Sequence, residues 1–496
     1  MMSKTISNLK SQTLVMLLAA LFAFANTGAI AQTEQPESPR KQAPLPGPVR
    51  PFNLPPAQMT RLDNGLALVM IEDHRAPMVT IEAGIPAKTA LLPSMKLTGE
   101  RSALAEATAQ LITEGAGNRG SEQLAREIET LGGRINSEVT DDYVEVNVAV
   151  VAENAEPMME ILGDVLLRPT FPQSEVALYK SNRIDKLKLD RQQPEYLLSE
   201  HFNRIVYGAH PYAISSPTPA AINAMTRAKI ALFHRLIYTP EGSVVVIAGD
   251  FDPVKMGAKA RAIFGEWRGP AKPSADRLIR YASTRTGRRI YLIDRPGSAQ
   301  ADFRIGGLAV NRSSPDYFPL VVANAILGSE RAGSRLFLNI REQKGYAYDV
   351  YSVVSALKKG GTFFGGSQAR NAVTLPAIKE MLAEFDRMRN ETVSAEELQN
   401  AKNYLNGSFS IVVSTQGGIA GGIAQTYMLG LGSDYLARYR ARIEAVTAEQ
   451  VRQAARKYMN RDGAVIVVVG DAATLKKSLS TFGPVTVLDA AGRLKK

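Results

Sequence analysis

The sequence predicts an α+β chain of two homologous lobes, each a mostly antiparallel sheet packed with helices, with a clam-like cleft between them. Three observations lead there. The chain repeats itself at a spacing of about 220 residues, each copy alternates strand-like and helix-like segments, and a stretch rich in Pro, Gly and charge joins the copies.

The repeat is clearest in its strands. Val244-Val245-Val246-Ile247-Ala248 ends in Gly249-Asp250, and Val465-Ile466-Val467-Val468-Val469 ends in Gly470-Asp471, so each copy holds a short buried strand closed by a turn. Upstream of each lies a helical stretch with a similar entry, from Phe171 and from Val393, in which Lys180 and Lys402 are 222 positions apart. The second of these starts with Ser394 followed by Glu397, a capping box. A third match relates Gln123-Leu124 through Ile128 and Gly133 to Arg335-Leu336 through Ile340 and Gly345. The first copy opens on a strand, Leu66-Ala67-Leu68-Val69-Met70-Ile71, after the turn Asp63-Asn64-Gly65.

The flanking segments have different jobs. Residues 1–31 read as a secretory signal: Lys4 and Lys10 supply the positive start, Thr13 to Ala25 the apolar run, and Ala29-Ile30-Ala31 the cleavage site. The apolar run is shorter than the roughly 20 residues a spanning helix needs, so no membrane span is expected. The mature chain would start at Gln32 and be periplasmic or extracellular. Residues 32–57 form a Pro-rich leash, 58–270 the N-terminal lobe, 271–287 the linker and 288–490 the C-terminal lobe.

Composition removes several kinds of chemistry. The 496 residues include no Cys, which excludes disulfides, thiolate nucleophiles, iron–sulfur clusters and Cys-ligated zinc. A net charge of +11 comes without any run of basic residues, so it describes a solvated basic surface, and no nucleic-acid partner is expected.

Taken in order, Leu62-Asp63-Asn64-Gly65-Leu66, EGAGNRGSEQLAREIETLGGRINSEVTDDYVEV from Glu114, Arg168-Pro169-Thr170-Phe171, Tyr207-Gly208-Ala209-His210-Pro211-Tyr212 and SRLFLNIREQKGYAYDVYS from Ser334 make the chain resemble the insulinase/pitrilysin family of metallopeptidases, which includes mitochondrial processing peptidase. The resemblance implies two homologous lobes. It also implies a helix bearing H-x-x-E-H, in which His at i and i+4 share a face and bind zinc while the Glu activates the metal's water. Here those positions read Glu106-Ala107-Thr108-Ala109-Gln110. Glu106 and Gln110 replace both imidazoles, Ala109 can take no proton, and Asp185 is the candidate for a further acidic ligand. His74, His201, His210 and His234 make no i,i+4 pair that could relocate the metal.

Another family element is kept. The resemblance assigns to an Arg and a Tyr seven apart in the C-terminal lobe, here Arg341 and Tyr348, the binding of the substrate carbonyl and its oxyanion. A guanidinium and a phenol both suit that role as donors. Alternatives for Arg341 are ion pairs with Glu342, Glu330 or Asp349; Tyr346, Tyr351 and Tyr143 read as packing residues. The Gly-rich run 414–424 would cost a helix roughly 0.8–1 kcal/mol per Gly, and it carries no phosphate-loop pattern.

The function expected is that of an exported non-zinc subunit. No cofactor is expected on this chain; zinc would sit on an H-x-x-E-H-bearing partner of the same family. Endopeptidase activity on short or unfolded peptides would then exist only in the complex. The alternative is a catalytically silent peptide-binding or assembly scaffold of the same fold.

Overall fold

The computed structural model describes residues 54–86, 99–270, 287–329 and 333–495. The signal segment, nearly all of the leash and nearly all of the linker lie outside them.

Each lobe is built on a six-stranded sheet. In the N-terminal lobe the strands are β1 (Ala57–Arg61), β2 (Ala67–Glu72), β3 (Met78–Ile85), the two-residue pair β4 (Gly115–Ala116) and β5 (Arg119–Gly120), β6 (Arg134–Val139), β7 (Val144–Val151) and β8 (Val244–Gly249). The main sheet runs β1-β2-β8-β3-β7-β6. The C-terminal lobe has β9 (Arg289–Asp294), β10 (Gln300–Leu308), β11 (Ala347–Ala356), β12 (Gly361–Arg370), β13 (Val465–Gly470) and β14 (Val485–Leu488), in the order β11-β12-β10-β13-β9-β14. Apart from the outermost strands β1 and β14, the two orders are the same. β9 begins 222 positions after β2, and the late strand of each lobe runs parallel to the early one, β8 to β2 and β13 to β9. Most other pairings are antiparallel. Two homologous α+β lobes are therefore present.

The continuous apolar runs that mark β8 and β13 have a direct cause: both faces of each sheet are covered. One face packs on the lobe's own helices. There Val245 and Ile247 of β8 join Leu68, Ile81 and Val146, and Ile466 and Val468 of β13 join Leu292, Phe303 and Phe363. The other face takes a helix from the opposite lobe. The helix Pro194–Tyr207 sets Leu197, Leu198, Phe202 and Val206 against Ile293, Phe364, Val467 and Val469 of the C-terminal sheet. The helix Gln416–Met428 sets Ile419, Ala420, Ala424 and Met428 against Val69, Ile71, Val244 and Val246 of the N-terminal sheet.

These two helices start 222 positions apart, so the exchange is reciprocal and follows the internal repeat. The linker composition suggests separate lobes; the exchange packs each against the other. The Gly-rich run belongs to the second exchanged helix. A side chain at Gly418 would strike the Val412 carbonyl at 1.7 Å, so this Gly allows the tight turn from the preceding helix Ala395–Val412.

Polar contacts reinforce the junction. The Asp142 carboxylate accepts from the Tyr212 hydroxyl and, at 2.8 Å, from the backbone N–H of Lys358 in the other lobe. Lys358 Nζ donates to the carbonyl of Met428 at 2.8 Å, at the end of the exchanged helix. The Gln416 side-chain amide donates to the Asp73 and Ala76 carbonyls. Buried ends of backbone need such partners.

Candidate functional site

The helix expected at the vacant zinc motif forms, over Gly99–Leu111. Small side chains let it sit deep: Ala103, Ala105, Ala107 and Ala109 are all buried. Glu106 points at the neighbouring helix Gln173–Asp190, where Arg183 grips its carboxylate with two donors, Nε at 2.6 Å and Nη2 at 3.3 Å. Arg183 is buried and also lies 3.5 Å from Asp190.

The facing stripe of that helix is Val176, Tyr179, Arg183 and Leu187. Asp185 is off the stripe. It is exposed and paired with Lys188 at 2.9 Å, so it does not join Glu106. The residues present do not fit a zinc ion. The carboxylate of Glu106 is bound by a guanidinium, Ala109 has no ligating group, Gln110 is exposed, and the next turns of the facing helix bring an arginine and a tyrosine. Among the described residues no group of three or more His, Asp or Glu could hold a metal ion. A fixed cation stands beside Glu106, and removing either partner would leave the other charge partly buried without its counter-ion.

The histidines have local roles. His201 lies 3.2 Å from the Ala490 carbonyl, His210 Nδ1 accepts from the Tyr212 N–H, and His234 contacts the Leu166 carbonyl at 3.0 Å. Burial lowers the pKa of His210 and His234 to about 4. His74 lies on the surface between Glu72 and Asp250.

Arg341 and Tyr348 are brought together. Arg341 lies on a π-helical stretch, Phe337–Gln343, whose backbone bonds reach five residues back, as in Lys344 N–H to Asn339 O at 3.0 Å. Such stretches are rare and recur at functional sites. Two anchors hold it from behind. Arg335 is paired with Glu397 at 2.7 and 3.0 Å, and Asn339 donates to Glu384 at 2.7 Å and to Glu380 at 3.2 Å. The Arg335 guanidinium pulls the Glu397 carboxyl down to about 2. Gly345, with φ +62, then turns the chain into β11.

Tyr348 sits on β11, the edge strand of its sheet, within a bulge. Between the pairs Ala347–Ala369 and Val350–Ser367, β11 has one residue more than β12. A bulge bends the strand and re-aims side chains, and here Tyr348 is 81% exposed. The Arg341 guanidinium stacks 4.6 Å from the centre of the Tyr348 ring and 4.7 Å from that of Phe337. Glu342 lies 3.4 Å from Arg341 Nε, so part of the anticipated surface pairing also exists; Glu330 lies outside the described residues. An open hollow of about 360 Å³ adjoins the pair, lined by Gln300, Tyr346, Tyr348, Gln368 and Arg370 among others.

Stacking uses the faces of the guanidinium and leaves its edge for planar acceptors. The pair can therefore present an arginine edge and a phenol together. Tyr346 and Tyr351 pack partly buried and Tyr143 is buried in the junction with the other lobe. The π-helical stretch and the bulge have no sequence signal. Arg183 had one: it lies four positions from each of Tyr179 and Leu187 on the stripe facing Glu106.

Comparison with known proteins agrees with the two-lobe fold. The family described as "Insulinase (Peptidase family M16)" matches residues 104–219, and the one described as "Peptidase M16 inactive domain" matches residues 224–405. An uncharacterized zinc protease of Streptomyces coelicolor is 25% identical over 72% of this chain and 78% of its own length. The mitochondrial-processing peptidase subunit beta of Blastocladiella emersonii is 25% identical over 84% of this chain and 89% of its own. The solved structure of a peptidase M16 inactive domain from Pseudomonas fluorescens superposes with a TM-score of 0.76 at 24% identity, over 84% of this chain and 98% of that one. A protease from Helicobacter pylori superposes with a TM-score of 0.75 at 17% identity, over 84% and 100%. With two lobes of the same plan, matches to both M16 descriptions and a helix that lacks the zinc ligands, the chain belongs to the insulinase family of M16 peptidases.

Proposed function

We propose that this chain is the exported, non-zinc subunit of a two-chain metallopeptidase. It would bind peptide and supply carbonyl and oxyanion donors, while a partner chain brings H-x-x-E-H and zinc. The observation that carries the reading is the Arg341–Tyr348 pair: Arg341, on an anchored π-helical stretch, lies 4.6 Å from the ring centre of Tyr348, which is exposed and lines an open hollow. The salt bridge of Glu106 to Arg183 supports it from the other side, because this chain's own motif helix holds a cation of its own.

Two donors aimed at the same acceptor are worth most when charge develops on it, as when water attacks a peptide carbonyl. β11 is the edge strand of its sheet and carries Tyr348, so an extended peptide could align there as an added strand. The names of the relatives fit both halves of the reading, as several are called zinc proteases and one is called an inactive domain. The pattern of residues 1–31, which reads as a secretory signal, supports a complex outside the cytoplasm.

The test is reconstitution with an H-x-x-E-H chain co-purified from the source cell, assayed on an unfolded peptide. Arg341→Ala and Tyr348→Phe should each lower kcat about 10²- to 10³-fold with assembly unchanged. Wild-type turnover in both variants would overturn the assignment and leave the silent scaffold, which shares the vacant motif but makes no use of the pair.

A further inference from the structure

A second hollow, of about 420 Å³, lies at the other end of β11 from Tyr348, roughly 25 Å away at a strand rise of about 3.3 Å per residue. The backbone N–H of Arg312 bonds the carbonyl of Leu357, just past the end of β11, and fixes this place. The walls come from the loop 311–316 and from the helix Tyr435–Glu444 with the turn before it.

Two arginines from these separate segments meet over aromatic rings. The Arg312 guanidinium lies 4.2 Å from the centre of the Tyr317 ring and 5.4 Å from that of Tyr435. Arg442 lies 5.3 Å from the Tyr435 ring and 5.6 Å from Phe318. Arg312 gives one donor to the Tyr317 hydroxyl. Among the described residues the Arg442 side chain makes no hydrogen bond, and neither arginine meets a carboxylate. The nearby acids are engaged elsewhere, Asp316 with Lys457 and Tyr458 and Asp434 with Arg438.

Ring contacts satisfy the flat faces of a guanidinium and leave its N–H edge, which matches the two oxygens of a carboxylate or phosphate. Two such cations around one ring, in a half-buried hollow of ligand size, repel each other until an anion sits between them. We propose that this hollow is an oxyanion-binding site, taking a ligand with a carboxylate or phosphate group between Arg312 and Arg442. The inference does not depend on the peptidase reading and needs no partner chain.

Calorimetric titration of the full chain tests it with three probes: inorganic phosphate, a short peptide with a free C-terminal carboxylate, and the same peptide amidated. Saturable binding of phosphate or of the free-acid peptide is expected, weakened about tenfold or more in Arg442→Gln at an unchanged melting midpoint. Binding of the free acid but not the amide would identify a peptide carboxylate as the ligand; phosphate alone would identify a free or esterified phosphate. Arg442→Lys, which keeps the charge and loses the fork, covers the case in which Gln impairs folding, and should bind more weakly than wild type. The proposal fails if neither anion binds below about 10 mM, or if the variants that fold bind as wild type does.

Discussion

Phe202→Ala probes the helix exchange. Phe202 is fully buried, on a helix that lies among the N-terminal lobe's own helices in sequence yet packs on the C-terminal sheet, its ring centre 5.3 Å from that of Phe364. Emptying such a site costs about 3–5 kcal/mol, which includes the aromatic pairing of about 0.5–1.5 kcal/mol. With an unfolding entropy of roughly 2.1 cal/mol/K per residue over about 440 residues, the melting midpoint should fall about 3–5 °C.

Where that loss is seen matters most. Trp267, the single tryptophan, is buried in the N-terminal core, while the new cavity would lie on the C-terminal sheet. If the exchanged helices couple the lobes, Trp267 fluorescence and far-ultraviolet circular dichroism should shift together. A Trp267 transition that stays at its wild-type midpoint while the dichroism splits into two steps would refute the coupling.

Glu82 gives a pH signature. It is buried between the N-terminal sheet and the exchanged helix, where burial pushes its carboxyl up to about 8; Asn147 opposes this by donating at 2.8 Å, and Glu145 adds to it. Folded Glu82 keeps its proton to about pH 8 whereas the unfolded chain releases it near 4.3, so folding is favoured at the acid end and this contribution is lost as pH rises through that window. In urea unfolding, Glu82→Gln should gain on wild type steadily between pH 5.5 and 8.5; a gain that does not vary with pH would count against the assignment. Restoring the motif as Glu106→His, Ala109→Glu and Gln110→His should give no zinc binding tighter than about 10 μM by equilibrium dialysis, since Arg183 would keep its charge beside the metal and lose the nearer of its two carboxylates, leaving Asp190 at 3.5 Å. Adding Arg183→Ala should raise the affinity, and tight zinc in the triple variant alone would mean that Arg183 swings aside.

Much of this was readable from particular residues. The buried strand pair at Val244 and Val465, the capping box at Ser394 and Glu397, and the motif helix around Thr108 formed where the pattern placed them. Asp185 failed as a partner for Glu106 because a helix presents one stripe, and the stripe runs through Tyr179, Arg183 and Leu187. Seven residues of spacing said only that Arg341 and Tyr348 could meet. The wide helical turn, Gly345 and the bulge at β11 made them do so.

By itself the sequence determined that there are two copies of one α+β plan, where their buried strands lie, and that the chain contains no H-x-x-E-H, because periodicity and residue identity are local properties. Tertiary structure alone decided which sheet each of the helices Pro194–Tyr207 and Gln416–Met428 covers, which charge answers Glu106, and which side chains share the two hollows. An apolar helix face suits either lobe's sheet equally well, and only the packed chain selects one.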